Sequence, residues 1–182
     1  ILLGKVNLCA KLPCVFPKSE GQLPFFDKRA KSIEYGYFHG YRFIDKQGQT
    51  PAFPFGFGLS YTTFTYKNLQ IDLDEISADE VLKVSVDVAN TGGVAGEEVV
   101  QLYVGYEGSR VERPVKELKG FSKIGLAPGQ TKRVDFLLTA KQLAYYDEQQ
   151  GKWIVEPLNY SVYAGPSSRK EDLLSVKFRI RA

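Results

Sequence analysis

The sequence predicts a mainly β protein, an antiparallel two-sheet sandwich preceded by a segment of a different kind. Three observations carry that expectation. From Tyr61 onward apolar residues recur at every second position. Clusters of turn-forming residues punctuate these runs. The first 60 residues follow neither pattern and hold Pro13, Pro17, Pro24, Pro51 and Pro54 among crowded aromatics.

The alternation can be followed along the chain. Leu82, Val84, Val86 and Val88 are interleaved with Lys83, Ser85 and Asp87. Val100, Leu102 and Val104 follow, then Val134, Phe136 and Leu138, then Tyr160, Val162 and Ala164, then Leu174, Val176, Phe178 and Ile180. Successive side chains on a strand point to opposite faces, so each run has a buried and a wetter face. Asn90-Thr91-Gly92-Gly93 and Ala127-Pro128-Gly129-Gln130 read as turns. The resulting strands lie at about 64–72, 81–90, 97–106, 115–122, 131–139, 153–164 and 172–181. Seven short antiparallel strands in some 120 residues fit an immunoglobulin-like or fibronectin-type sandwich.

The first third is too long and apolar for a loop and too irregular to build a core of its own. Only Gln22 to Tyr35 hints at a helix. The segment therefore reads as one that packs on something else. The chain lacks Met and opens on the apolar Ile1-Leu2-Leu3-Gly4, which reads as a piece of a longer polypeptide.

Composition narrows the function classes. With 182 residues, 43% apolar and 25% charged, the chain can bury a sizeable core and is not a disordered polymer. No apolar run approaches the ~20 residues of a membrane helix, and no signal-peptide pattern is visible. The net charge of +3 divides into +4 over residues 1–60 and −1 over the rest. Neither part has a basic stripe, so neither nucleic acid nor membrane is expected as a partner.

The most distinctive run is Phe53-Pro54-Phe55-Gly56-Phe57-Gly58-Leu59-Ser60-Tyr61-Thr62-Thr63-Phe64. Glycines between aromatics let the backbone turn tightly while the rings anchor in a seam. The run reads as a domain junction or, in a sharper reading, as an aromatic platform for a ligand. Here the chain resembles glycoside hydrolase family 3, the β-glucosidases and β-xylosidases, which carry "FPFGxGLSYTxF" at the entry to a fibronectin type III-like domain. Other blocks agree: Lys11-Leu12-Pro13 with Phe16-Pro17, Gly40-Tyr41-Arg42-Phe43 with Asp45, Gly96-Glu97-Glu98-Val99-Val100-Gln101-Leu102-Tyr103-Val104, Arg113-Pro114-Val115-Lys116-Glu117-Leu118-Lys119-Gly120-Phe121, and Trp153-Ile154-Val155-Glu156-Pro157 with Tyr160. The chain departs from the family pattern at Leu8-Cys9-Ala10 (Pro-Ser-Gly in the family), Val15 (Thr) and Leu158 (Gly).

The resemblance implies an arrangement. Residues 1–52 would be the C-terminal piece of an α/β-sandwich domain, 53–64 the linker, and 65–182 the fibronectin-like domain. A barrel domain would lie upstream. Phe53, Phe55, Gly56, Phe57, Gly58 and Tyr61 would form the junction. Retaining glycosidases need a nucleophile and an acid/base carboxyl ~5–5.5 Å apart. In the family both lie upstream of the blocks matched here, so no catalytic residue is expected in this chain. Its work would be to hold domains together, touch a second copy of the enzyme, or edge the cleft for a β-linked saccharide. The loops Glu107–Glu112 and Leu143–Lys152 are the candidates for such contacts. Family habit implies a periplasmic or secreted protein, with cytoplasmic forms also known.

Several residues have two readings. Tyr37, His39 and Arg42 either pack domains together or form a rim of the sugar site, where rings and bidentate donors suit hydroxyls. His39 is the sole histidine, so no histidine cluster for a metal or triad can form within the chain. Cys9 and Cys14 are two buried free thiols or, in an oxidising compartment, a local disulfide. Asp72, Asp74, Glu75, Asp79 and Glu80 read as a solvated turn, with an opportunistic cation as the alternative. No cofactor or metal is expected. Asn159-Tyr160-Ser161 is a sequon inside an expected strand, a poor acceptor. A stand-alone fibronectin-like interaction or carbohydrate-binding module is the alternative to the enzyme reading. Tyr103, Tyr145, Tyr146, Tyr163 and Trp153 show no aromatic row on one strand and read rather as inter-sheet core.

Overall fold

The computed structural model describes residues 3–181. In chain order the strands are β1 (Phe64–Ile71), β2 (Glu75–Ile76), β3 (Val81–Asn90), β4 (Gly96–Glu107), β5 (Glu117–Leu126), β6 (Thr131–Thr139), β7 (Tyr145–Asp147), β8 (Lys152–Ile154), β9 (Asn159–Gly165) and β10 (Leu174–Ile180). They form a three-stranded sheet β1-β3-β6, a five-stranded sheet β2-β10-β9-β4-β5, and the separate hairpin β7-β8. All pairings are antiparallel except β2 with β10.

The period-two positions meet where the two sheets face each other. Leu82, Val84 and Val86 of β3 sit opposite Leu138, Phe136 and Val134 of β6. Across the interior lie Val100, Leu102 and Val104 of β4, Tyr160, Val162 and Ala164 of β9, and Phe178 and Ile180 of β10, all within one buried cluster. Burying a Val, Leu, Ile or Phe side chain contributes roughly 1.5–3 kcal/mol each, which makes this cluster the main source of stability. Gly120 on β5 admits the Phe136 ring, since a Cβ there would lie 3.3 Å from that ring.

Three expectations are corrected. The run 153–164 is not one strand. Glu156 turns inward and Leu158 N–H donates to the Glu156 carbonyl (3.0 Å), a tight turn around Pro157. Proline offers no ladder donor, so β8 pairs with β7 and β9 starts afresh. The Leu158 position needs no left-handed backbone; the one non-glycine residue with positive φ among the described residues is Asn68, in the irregular stretch of β1. The expected strand 115–122 lies instead at 117–126. Finally, 22–35 is not a helix. Only Glu20–Gln22 makes a 3₁₀ turn, Asp27 caps the Arg29 N–H (2.8 Å), and the helix α1 is Tyr41–Lys46, beginning after Gly40 at φ 60°.

Candidate functional site

Among residues 3–60, Lys11, Tyr37, Tyr41, Arg42, Asp45 and Gly56 reach side chains or backbone of β4 and β5 or of the turn just before β5. The segment 12–16 is laced to 53–57: Leu12 N–H donates to Phe57 O (2.8 Å), Phe16 N–H to Phe53 O (2.9 Å), and Gly56 N–H to Leu12 O (2.9 Å). Gly56 adopts φ +75°, and a Cβ there would strike the Gln101 amide. Gln101 is buried. Its Nε2 donates to Gly56 O (3.1 Å) and Pro166 O (2.6 Å), while its Oε1 accepts from Tyr103 OH (2.6 Å). Phe55 stacks on Tyr41 at 4.9 Å, and Tyr41 meets Tyr103 edge-on at 6.2 Å. The Tyr41 hydroxyl accepts from Leu118 N–H (3.0 Å), and Ser168 N–H donates to Phe55 O (2.9 Å). This cover explains why β4 is buried on both faces: Val100, Leu102 and Val104 face the other sheet, while Gln101 meets Gly56 and Tyr103 meets Tyr41.

Beside it lies a polar knot centred on Glu117. Its Oε1 takes Arg42 (2.8 Å) and Tyr37 OH (3.2 Å). Its Oε2 takes Tyr106 OH (2.6 Å), Lys119 (3.3 Å) and, more distantly, Arg113 (3.7 Å). The Arg113 guanidinium lies 3.6 Å from the centre of the Tyr106 ring, a cation–π contact. Burial alone would push the Glu117 carboxyl up, but the Tyr106 hydroxyl and the Lys119 and Arg42 charges hold it below the usual carboxylate range. Burial pushes Lys119 down and Tyr37 up. Lys116 Nζ reaches Asp45 of α1 at 2.6 Å; there burial outweighs the lysine and leaves the Asp45 carboxyl raised. At the other end Lys11 Nζ meets Glu98 (2.9 Å), which also accepts from Tyr66 OH (2.7 Å). Buried ion pairs are strongly destabilising to break because the surviving charge is left without a partner.

The residues singled out in the sequence divide. Tyr37 and Arg42 come together on Glu117, with the Arg42 guanidinium 5.2 Å from the Tyr37 ring centre. His39 does not join them. Its exposed ring lies 3.3 Å from Gly36 O and lines an open cavity of about 920 Å³ with Leu23, Phe25, Phe26 and Tyr35. Phe53 and Phe57 touch at 5.2 Å and line a second apolar hollow of about 380 Å³ with Leu8, Phe16 and Leu59. Gly58 leaves room for the Ala10 carbonyl, which a Cβ would approach to 2.5 Å. Tyr61 is half-exposed, its N–H donating to Asn7 Oδ1 (2.8 Å). Cys9 and Cys14 are unpaired, and neither is buried: Cys9 is half-buried and Cys14 exposed. Asp72 caps the Lys83 N–H (2.9 Å) and Glu80 the Ser77 N–H (2.6 Å). Among the described residues no group of three or more His, Cys, Asp or Glu side chains is placed to hold a metal ion. Tyr146 and Trp153 are not core residues but stand exposed on the β7-β8 hairpin.

Glu117, Arg113, Lys119 and Tyr106 drew no role from the sequence. One sign of them was present. In Arg113-Pro114-Val115-Lys116-Glu117-Leu118-Lys119 charges crowd a strand end with no apolar alternation, which a simple wet face does not require.

Fold and knot together define a class: a fibronectin type III-like sandwich with an aromatic arm clamped to its outer face. Residues 98–168 match the family model described as "Fibronectin type III-like domain". The homologues of the whole chain are family 3 β-glucosidases and their β-xylosidase kin, so the family resemblance holds. Identity is 44% with thermostable β-glucosidase B of Acetivibrio thermocellus, over 93% of this chain and 23% of that protein. It is 43% with a β-xylosidase of Formosa agariphila, over 100% of this chain and 24% of that one. The solved β-glucosidase 3B of Thermotoga neapolitana superposes with TM-score 0.87 at 34% identity, over 100% of this chain and 26% of that one. The β-D-glucoside glucohydrolase of Trichoderma reesei does so with TM-score 0.87 at 32% identity, over 99% and 28%. The chain thus spans about a quarter of the length of these relatives.

Proposed function

We propose that this chain is the C-terminal structural part of a retaining β-glycosidase, a β-glucosidase in the first instance, acting on terminal β-linked sugars. Residues 1–52 complete an α/β-sandwich domain, 53–64 link it to the fibronectin-like domain of 65–182, and the catalytic nucleophile and acid/base reside in upstream domains. Phe53, Phe55, Gly56, Phe57, Gly58 and Tyr61 serve as the junction. Tyr37 and Arg42, fixed through Glu117, and His39 beside its open cavity lie toward the rim of the sugar cleft. Contact with a second copy of the enzyme is a further role open to the loops 107–112 and 143–152.

One observation carries this reading. The arm is bound firmly to the sandwich, yet it turns Leu23, Phe25, Phe26 and Tyr35, which line one open cavity, to solvent in a chain homologous to enzymes four times as long. Contiguous apolar surface of that kind marks a face that another body covers. The test is hydrolysis of an aryl β-glucoside by residues 1–182 alone and by the longest natural polypeptide containing them. The expected result is no turnover by the first and turnover by the second. Hydrolysis by the 182-residue chain, abolished by replacing one of its own carboxylates, would overturn the assignment.

A further inference from the structure

Tyr146 and Trp153 sit directly opposite each other on β7 and β8, so their rings share one face of the hairpin. Their centres are 5.5 Å apart with planes at 67°. They are 50% and 70% exposed. The opposite face is anchored. Tyr145 is half-buried and its hydroxyl accepts a long, exposed hydrogen bond from Arg110 at 3.5 Å, and Arg110 is held in turn by the buried carboxylate of Glu156, through its N–H (2.8 Å) and Nε (3.5 Å). The turn between the strands is also fixed, since Asp147 accepts from the N–H groups of Gln149 and Gln150, both at 3.0 Å. The pair is therefore presented outward on a hydrogen-bonded hairpin.

We propose that this pair is a saccharide contact, which stacks on β-linked pyranose chains. A β-linked glucose or xylose unit in its chair form carries its ring hydroxyls equatorially. Each ring face is then a flat patch of C–H groups bordered by hydroxyls. Such a face matches an aromatic ring with a polar surround. The size of the patch favours a sugar over a protein. An aromatic side chain buries about 150–250 Å² in full and these two are only partly exposed, so the patch falls well short of the ~800 Å² per partner that a stable protein interface uses. One or two sugar units cover that area. Only the choice of β-linked sugars rests on the proposed function; the contact itself needs no catalytic group.

Trp153 is the sole tryptophan, so its emission reports this site and no other. The experiment titrates the 182-residue chain with cellopentaose and xylopentaose, with maltopentaose as the α-linked control. The expected result is a saturable change in tryptophan emission with the β-linked sugars and a weaker one with maltopentaose. Tyr146→Ala should weaken binding about tenfold, the order expected for one lost ring contact, while Tyr146→Phe keeps it. Circular dichroism of both variants checks that the hairpin persists. If the rings serve only to hold the hairpin together, cellopentaose and xylopentaose leave the emission unchanged, and the proposal falls. It falls equally if Tyr146→Ala binds as well as the parent chain. Neither outcome touches the proposed catalytic reading, which is judged by hydrolysis in the longer polypeptide.

Discussion

At Glu117 five donors from three stretches of the chain meet one buried carboxylate. Replacing it with an amide leaves the charges of Arg42, Arg113 and Lys119 without their counter-ion. Glu117→Gln is expected to lower stability by about 3–5 kcal/mol, as breaking a buried ion pair does. Urea unfolding at pH 7 checks this; an unchanged midpoint would mean that the knot is held elsewhere. The pH dependence follows from the same contacts. The folded-state pKa of Glu117 is depressed, so its contribution is complete above the unfolded carboxylate value, about 4.3, and is lost as pH falls through the lower folded value. Wild-type stability should therefore decline below about pH 5, and the Gln variant should show a shallower decline over the same window. Asp45 acts in the opposite sense. Its raised carboxyl binds a proton more readily when folded and softens part of the acid loss.

Among the elements, residues 53–64 and the β7-β8 hairpin separate what periodicity can tell from what it cannot. The core strands were legible because a two-residue repeat needs only one face to be dry: β3 and β6 appear where Leu82–Val88 and Val134–Leu138 alternate. The two-residue β2 and three-residue β7 carry too few positions to show a period. Pro157 split one expected strand into two, and its missing N–H was the available clue. The arm has no repeat because its backbone is not a ladder; it is shaped by glycines, side-chain caps and contacts with β4 and β5. The knot on Glu117 was hidden for the same reason, since Arg42 lies 75 positions from Glu117 and only the fold brings them together. Phe55 is half-buried between Tyr41 and the 166–168 turn. Phe55→Ala should cost about 2 kcal/mol, less than the ~3–5 of a fully buried Phe, and should lower the melting temperature of the chain. An unchanged melting temperature would show that the stack on Tyr41 does not hold residues 53–57 in place.

For the whole molecule, the question is whether the arm's outward face belongs to a larger body. Phe25 is 87% exposed and Phe26 and Leu23 stand beside it in the open cavity. In the 182-residue chain these side chains make little contact, so exchanging them for serine should change stability by no more than ~0.5 kcal/mol each. If domains of the full enzyme cover them, the same exchanges remove buried apolar surface and leave voids, and each Phe→Ser should then cost about 3 kcal/mol or more. The comparison is made by melting Phe25→Ser and Phe26→Ser in both contexts. A penalty that appears only in the long polypeptide would identify this face as a domain interface. Equal and small effects in both would mean that the face stays open to solvent in the enzyme, and the apolar lining of the His39 cavity would have to be explained by a ligand or a second copy instead.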